Sequence, residues 1–392
     1  MRAALACVPR GTGSASGQER GHRPGTARAD QPANWEKPLP QFSSKQLYNI
    51  GFAVFRRMGS SEEEAHIVAD HLVRANLAGH DSHGIGLVPS YVRVWREGLL
   101  KPNQTLQTVL DFGALLTFDA GRGFGHRMTR EAVAQAIGRA RELGACVMGL
   151  RNSSHLGRVG TYAEQCAEAG CAFVAFVNVA DHLPYQAPYG GRDPRLGTNP
   201  FCAAVPGTDG PALMLDTATT MIAFGKARVA HEKGVPVPEG ALLDPEGRLT
   251  TDPAEMVAHH RGALTSFGLH KGSGLAVLCE AMSAVLTGGK RADEDQTGGV
   301  LNSMLAIVID TKRLEGNGDL QAGFAAVAAS VKQSRPAAGF EEVLLPGEPE
   351  RRSRAERGAR GIPVSETAWR GIQEAAAEVG VPVGEIEASL AA

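Results

Sequence analysis

From Gln41 onward apolar residues recur at helical spacing, in QLYNIGFAVFRRMG, SSEEEAHIVADHLVRANLAGH and VPSYVRVWREGLL. Each stretch predicts an amphipathic helix with one stripe toward a core. Ser43 followed by Gln46, and Ser60 followed by Glu63, read as capping boxes. Gly79 reads as the stop of the second helix, since glycine takes the left-handed conformation at little cost. The period then changes. TLQTVLDFGALLTFDAG alternates as a strand or hairpin does, REAVAQAIGRARELG is helical, and ACVMGLRN is a strand entering a loop. TYAEQCAEAG predicts a helix and CAFVAFVNV a buried strand; Leu183 to Pro200 is loop-like. FCAAVP and ALMLDTAT predict strands, MIAFGKARVAHEKG a helix, and a long irregular piece follows. KGSGLAVLCEAMSAVLTGG predicts a strongly amphipathic helix, MLAIVIDT a strand, and DLQAGFAAVAASVKQS and SETAWRGIQEAAAEVG late helices.

Strands mixed with helices argue for an α/β or α+β fold. No GxGxxG lies between a strand and a helix, so the Rossmann fingerprint is missing. A chain of 392 residues suffices for two or three lobes. Residues 1–38 lack hydrophobic periodicity and are rich in Gly, Arg, Ser and Pro, which predicts a disordered extension or an overlong translation start.

Net charge is −2, which gives no reason to expect nucleic acid or an acidic membrane as partner. No apolar run approaches the roughly 20 residues that span a bilayer. The six cysteines are scattered without a CxxC pair, as expected of reduced thiols in the cytoplasm.

Glycine gathers beside polar residues in four places. HDSHGIG holds His83 between Ser82 and Gly84, just past a predicted helix end. A histidine there can pass protons near neutral pH or cap the helix. A zinc site would need a third ligand, and neither HExxH nor a Cys/His spacing supplies one. RNSSHLGRVG places His155 ahead of a helix, as an anion cradle or as a cap with a tight turn. Asp216 ends the apolar run LMLD, as a cap or as a partner that orients and charges a histidine. SFGLHKGSGLA puts His270 and Lys271 at a helix start, where backbone N–H groups and a cation suit a phosphate. LLPGEPERRSRAER adds a Pro-Gly turn and a basic run, which by itself reads as a solvated surface loop.

In this order DSHG, NSSHxG, RLGTNP, MLDTATT, HKGSGLA and LPGEPE resemble the type-2 malate/L-lactate dehydrogenase family, and within it the hydroxycarboxylate dehydrogenase subgroup. The resemblance implies a non-Rossmann fold with a central mixed sheet and helical terminal parts. It implies a homodimer that interconverts 2-oxo and 2-hydroxy acids with NAD or NADP. The parts expected are 39–115 (N-terminal, helical), 116–300 (central, cofactor-binding) and 301–392 (C-terminal, packing back on the N-terminal part). His83 matches the proton donor/acceptor, His155 a second acid/base histidine, and Asp216 a partner for the imidazole. Asn178, Leu215, Asp216, Thr217, Ala218, His270, Lys271, Gly347, Glu348 and Pro349 match cofactor-binding segments. Ser82, Asn199, Arg158 and Arg195 are the candidates for substrate. Many members carry an arginine where this chain has Leu87, and leucine cannot form a guanidinium–carboxylate fork. A dicarboxylate substrate is thereby put in doubt. Other readings are a reductase of a cyclic imine acid, a dehydrogenase of a ureido acid, a non-catalytic ligand-binding member, and a zinc hydrolase.

Overall fold

In the computed structural model the described residues are 39–382 apart from Asp209, together with Gly384 and Ile386. The expected extension at 1–38 lies outside them. A seven-stranded mixed sheet forms the centre, in the order Gln107–Phe112, Leu115–Asp119, Ala145–Ser154, Leu301–Asp310, Cys171–Ala180, Phe201–Gly207, Gly210–Thr217. Leu115–Asp119 runs parallel to Ala145–Ser154, and every other neighbouring pair is antiparallel. The helices Gly125–Leu143 and Gly160–Glu168 supply core residues to this sheet: Met128, Val133, Ile137 and Tyr162 are buried with Leu116, Phe118, Phe173 and Met304.

A second core joins the two ends of the described chain. Leu47, Val54, Phe55, Val68, Leu72, Tyr91 and Val92 are buried together with Ile362, Ile372 and Ala376. Gln41–Phe42 pairs antiparallel with Ile362–Pro363, which ties the ends at a strand as well. A third, small core holds Ile222, Val237, Leu242, Met256 and Leu264 around a three-stranded sheet. The contacts join residues from Leu39 onward into one compact unit rather than separate lobes.

Four expectations need correction. Leu301–Asp310, placed by sequence in the C-terminal part, lies in the middle of the sheet between Ala145–Ser154 and Cys171–Ala180. Sheet neighbours are set by non-local pairing, so a boundary at residue 300 cuts through the core. The cap of Glu62–Leu77 is Ser61, which accepts from Glu64 N at 3.1 Å, one residue later than expected. Glu64 itself is buried and binds Arg127 Nε at 2.8 Å, Ser60 Oγ at 2.8 Å and Asn103 N at 2.8 Å. The stretch from His270 is an α-helix only to Glu280, then a π-turn over Ala281–Val285, with Val277, Leu278, Val285 and Leu286 exposed. The basic run after Gly347 forms the helix Glu348–Arg360 rather than a loop, with Pro349 in its first turn, where a missing N–H costs nothing.

Candidate active site

The helix Glu62–Leu77 ends at Ala78, and the chain turns through Asp81–His83 and Ile85–Leu87. Asn76, buried, fixes this turn. Its Oδ1 accepts from Ile85 N at 2.8 Å and its Nδ2 donates to Asp81 Oδ1 at 2.7 Å. Gly84 is required there, because a Cβ would lie 2.2 Å from Asn76 Oδ1. The helix Glu348–Arg360 clasps the same turn from outside. Arg357 donates to both oxygens of Asp81, at 2.6 and 3.0 Å, and to Asn76 O, while Glu350 pairs with His80 at 3.2 Å. The segment read as a surface loop is thus a wall of the site.

His155 follows the strand Ala145–Ser154 and meets this turn. The His83 and His155 ring centroids lie 5.5 Å apart, with planes 18° from parallel. His83 Nδ1 lies 3.0 Å from Ser82 Oγ, and His155 Nδ1 lies 2.8 Å from the Tyr91 hydroxyl. Among the described residues neither Nε2 has a hydrogen-bond partner. Behind His155 lie two more histidines, both buried: His126, whose Nε2 is 3.3 Å from the Tyr91 hydroxyl, and His71, whose Nε2 accepts from Arg158 N at 2.9 Å. Gly157, at φ 73°, lets the chain pass here, since a Cβ would lie 2.4 Å from His71 Nε2.

Burial keeps these rings neutral. It lowers His83 to about 4, against the opposing charge of Asp216, and His126 to about 3. Burial also takes His71 and His155 well below the usual histidine value. Removing a cation from water is unfavourable, and the neighbouring imidazoles and guanidinium add repulsion.

Asp216, near the end of Gly210–Thr217, accepts from Gly160 N at 2.7 Å and lies 3.6 Å from Arg158 Nε. It acts on His83 by charge; among the described residues no hydrogen bond joins the two. Arg158 is fully buried, and its Nη1 donates to Glu164 at 2.7 Å. Burial pushes the Glu164 carboxyl up, but Arg158 and Arg354 outweigh it and hold it ionised. Arg158 is thus held in a buried ion pair with Glu164, while its Nε has no hydrogen-bond partner among the described residues.

Asn178 and Asn199, expected at cofactor and substrate, are both fully buried and fully engaged. Asn178 Nδ2 donates to Glu280 Oε1 and Lys290 O, and its Oδ1 accepts from Ser303 N at 3.0 Å. Asn199 donates to Glu280 Oε2 at 2.9 Å and Ala276 O, and accepts from Val179 N. The two asparagines pin the end of the His270–Glu280 helix to the sheet. Arg195 stands in the exposed loop, 3.8 Å from Asp193.

The remaining candidates converge on one edge. Met214 N donates to Pro346 O at 3.3 Å, which sets Gly347, Glu348 and Pro349 beside Leu215 and Asp216. Glu348 accepts from Leu345 N at 2.8 Å and pairs with Lys332. Phe267 N donates to Thr219 O, and the exposed His270 and Lys271 begin their helix three residues after Phe267. Gly225 lies against Ser82, with an added Cβ 3.4 Å away. A cavity of about 710 Å³ lies elsewhere, lined by Lys101, Arg122, Asn152, Lys290, Arg291 and Glu294 among others. None of the four histidines lines it, and Arg122 and Lys290 are tied to buried Asp181. Sequence reasoning missed Tyr91, His71, His126 and Glu164. Their one signal is a polar residue on an apolar helix stripe, which is weak.

The malate/L-lactate dehydrogenase family model matches residues 42–373. Hydroxycarboxylate dehydrogenase B of Escherichia coli is 46% identical over 352 residues, 89% of this chain and 97% of that protein. L-lactate dehydrogenase of Cupriavidus necator is 39% identical, covering 81% of this chain and 91% of its own length. The solved sulfolactate dehydrogenase of Methanocaldococcus jannaschii superposes with a TM-score of 0.78 at 30% identity, covering 89% of this chain and 99% of that one. Fold and likeness together define an enzyme of the hydroxy acid dehydrogenase class. The chain belongs to the malate/L-lactate dehydrogenase family.

Proposed function

We propose that this enzyme interconverts 2-oxo acids and 2-hydroxy acids with NAD or NADP, with His83 as the proton donor and acceptor. The observation that carries this reading is the His83–His155 pair, each Nδ1 engaged and each Nε2 without a protein partner. When the carbonyl carbon receives a hydride, the π pair moves to its oxygen, which becomes an alkoxide and needs a proton at once. Burial holds His83 neutral before substrate arrives. The carboxylate of a 2-oxo acid, placed nearby, favours the imidazolium that gives the proton. Asp216 adds to that field.

The residues along the edge fit a dinucleotide. Leu215 offers exposed apolar surface beside Asp216, Thr217 and Ala218, and Gly347 brings bare backbone, at φ 92°, against Met214. His270 and Lys271 offer exposed charge and donors at a helix start, which suits a pyrophosphate. A nicotinamide dinucleotide, when bound, supplies or accepts the hydride. Ser82 and the exposed Arg195 are the substrate contacts that stay available. NADH and NADPH oxidation against a panel of 2-oxo acids tests the reading, and no turnover with any of them overturns it.

A homodimer is part of the reading. The helix Leu320–Lys332 is rich in Ala and Val, yet none of its described residues is buried, which supports a covered face in the assembly. A monomeric mass by light scattering would contradict it. Among the described residues no helix is long and apolar enough to cross a membrane. The five described cysteines are free and buried, which supports placement in the cytoplasm.

A further inference from the structure

We propose that Tyr91 is a positioning residue: its hydroxyl donates to His155 Nδ1 and holds His155 as the tautomer with its proton on Nε2. The inference rests on the reading of His83 and His155 as the two groups at the reacting oxygen, and it divides their work.

The Tyr91 hydroxyl has one proton and lies between two ring nitrogens, His155 Nδ1 at 2.8 Å and His126 Nε2 at 3.3 Å. Two arrangements use it as both donor and acceptor. In the first, His126 Nε2–H donates to Tyr91 and Tyr91 donates to His155 Nδ1. In the second, both bonds reverse. The arrangements differ at His126 Nδ1, which is buried without any hydrogen-bond partner. The first leaves a bare lone pair there; the second leaves an orphaned N–H. Buried orphan N–H groups are rarer than under-satisfied acceptors. His126 also sits in the first turn of Gly125–Leu143, where the partial positive charge of a helix start favours a lone pair over another N–H. Both observations select the first arrangement. Burial, which keeps both rings neutral, removes the alternative of a doubly protonated imidazole.

His155 then presents a permanent Nε2–H. His83 differs. Its Nδ1 meets Ser82, an exposed serine whose hydroxyl rotates freely to donate or accept. His83 can hold its proton on either nitrogen, as a group that gives and regains one must. In reduction the alkoxide oxygen gains one proton, which leaves His83; His155 keeps its own and hydrogen-bonds that oxygen throughout. A fixed donor aimed at developing charge needs no reorganisation during the reaction.

Nitrogen-15 histidine labelling of the full chain, with two-bond proton–nitrogen correlation spectra, reads each ring's tautomer. The expected result is His155 protonated on Nε2 across the neutral range, with His126 likewise. A wild-type His155 protonated on Nδ1 overturns the proposal, and this reading needs no variant to fold. Tyr91→Phe keeps the ring and removes the hydroxyl. It is expected to give a mixture of His155 tautomers and to lower kcat for 2-oxo acid reduction about tenfold, with cofactor Kd unchanged. His155→Gln, which keeps an N–H near the Nε2 position, is expected to retain more activity than His155→Ala. A Tyr91→Phe protein that keeps a single Nε2–H tautomer at His155 also overturns the proposal. A chain that reduces no 2-oxo acid overturns the functional reading instead, and the spectrum still decides the tautomer.

Discussion

His83 and His155 come from segments 72 positions apart in the chain and stand nearly parallel, with ring centroids separated by 5.5 Å. Each ring is held at Nδ1, by Ser82 and by Tyr91. A carbonyl oxygen has two lone pairs and can accept from both rings at once. Two imidazoles at one oxygen need not compete for a single role if one of them never changes its protonation.

Replacing His83 by alanine should therefore lower kcat for reduction by about 10² to 10⁴, the range for one general acid. Cofactor Kd should change little, since the proposed cofactor contacts lie along Leu215–Ala218, His270–Lys271 and Gly347–Pro349. Steady-state kinetics and cofactor titration on one preparation check this. A folded variant with kcat within about threefold of wild type would pass the role to His155.

The pH profile follows from the position of His83, about 4 in the free enzyme. With His83 as the proposed proton donor and acceptor, reduction would need its imidazolium and oxidation its neutral form. The kcat/KM for reduction, which reports the free enzyme, should fall steadily from about pH 5 to about pH 8, and that for oxidation should stay flat as far as His83 governs it. A plateau in the reduction profile up to about pH 6.5 would show instead that His83 keeps an ordinary pKa in solution.

Stability should depend on acid in the same region. His71, His83, His126 and His155 all titrate lower in the folded chain than the usual 6.5. Between the two values the unfolded chain binds more protons, so stability rises with pH there. It should be full above about pH 6.5 and decline as pH falls toward about 4 for His83 and about 3 for His126. Each histidine adds a slope of up to about 1.4 kcal/mol per pH unit within its window. Melting temperatures recorded in a series of buffers would show the decline. A curve flat from neutrality to about pH 5 would contradict it.

Glu164→Ala leaves Arg158 buried beside Asp216 with its main partner gone. Breaking a buried pair from one side costs about 3 to 5 kcal/mol. Urea unfolding should show a loss of that order. A loss below about 1 kcal/mol would mean that Arg158 finds solvent or substrate instead.

How much of this could be read from the chain depends on how local each signal is. Ser43 and Gln46 form their capping box as expected, because both partners lie within one turn. The glycine-flanked histidines were visible for the same reason. The helix Glu348–Arg360 was not, because it is polar all round and its arginines find their acids at Asp81 and Glu164, far away in sequence. Leu301–Asp310 was read as a strand, yet its central place in the sheet depends on partners at 145–154 and 171–180. That Asn178 and Asn199 pin a helix is not legible in the chain, because an asparagine that pins a helix and one that contacts a ligand look alike in one dimension. Tyr91 sits on an apolar helix stripe, where nothing marks its hydroxyl as different from any core tyrosine.

The clasp of Arg357 on Asp81 sets an order in time. Asp81 and His83 leave the ribosome about 270 residues before their clamp does, at the 5–20 residues per second typical of synthesis. Through that interval the Asp81–His83 turn has Asn76 as its inner anchor but no outer wall, and the first core lacks Ile362, Ile372 and Ala376. A nascent chain can build much of its sheet before it has a finished histidine pair. Activity is then a property of the completed polypeptide, and a chain cut short ahead of residue 348 should be silent even where its central sheet has formed.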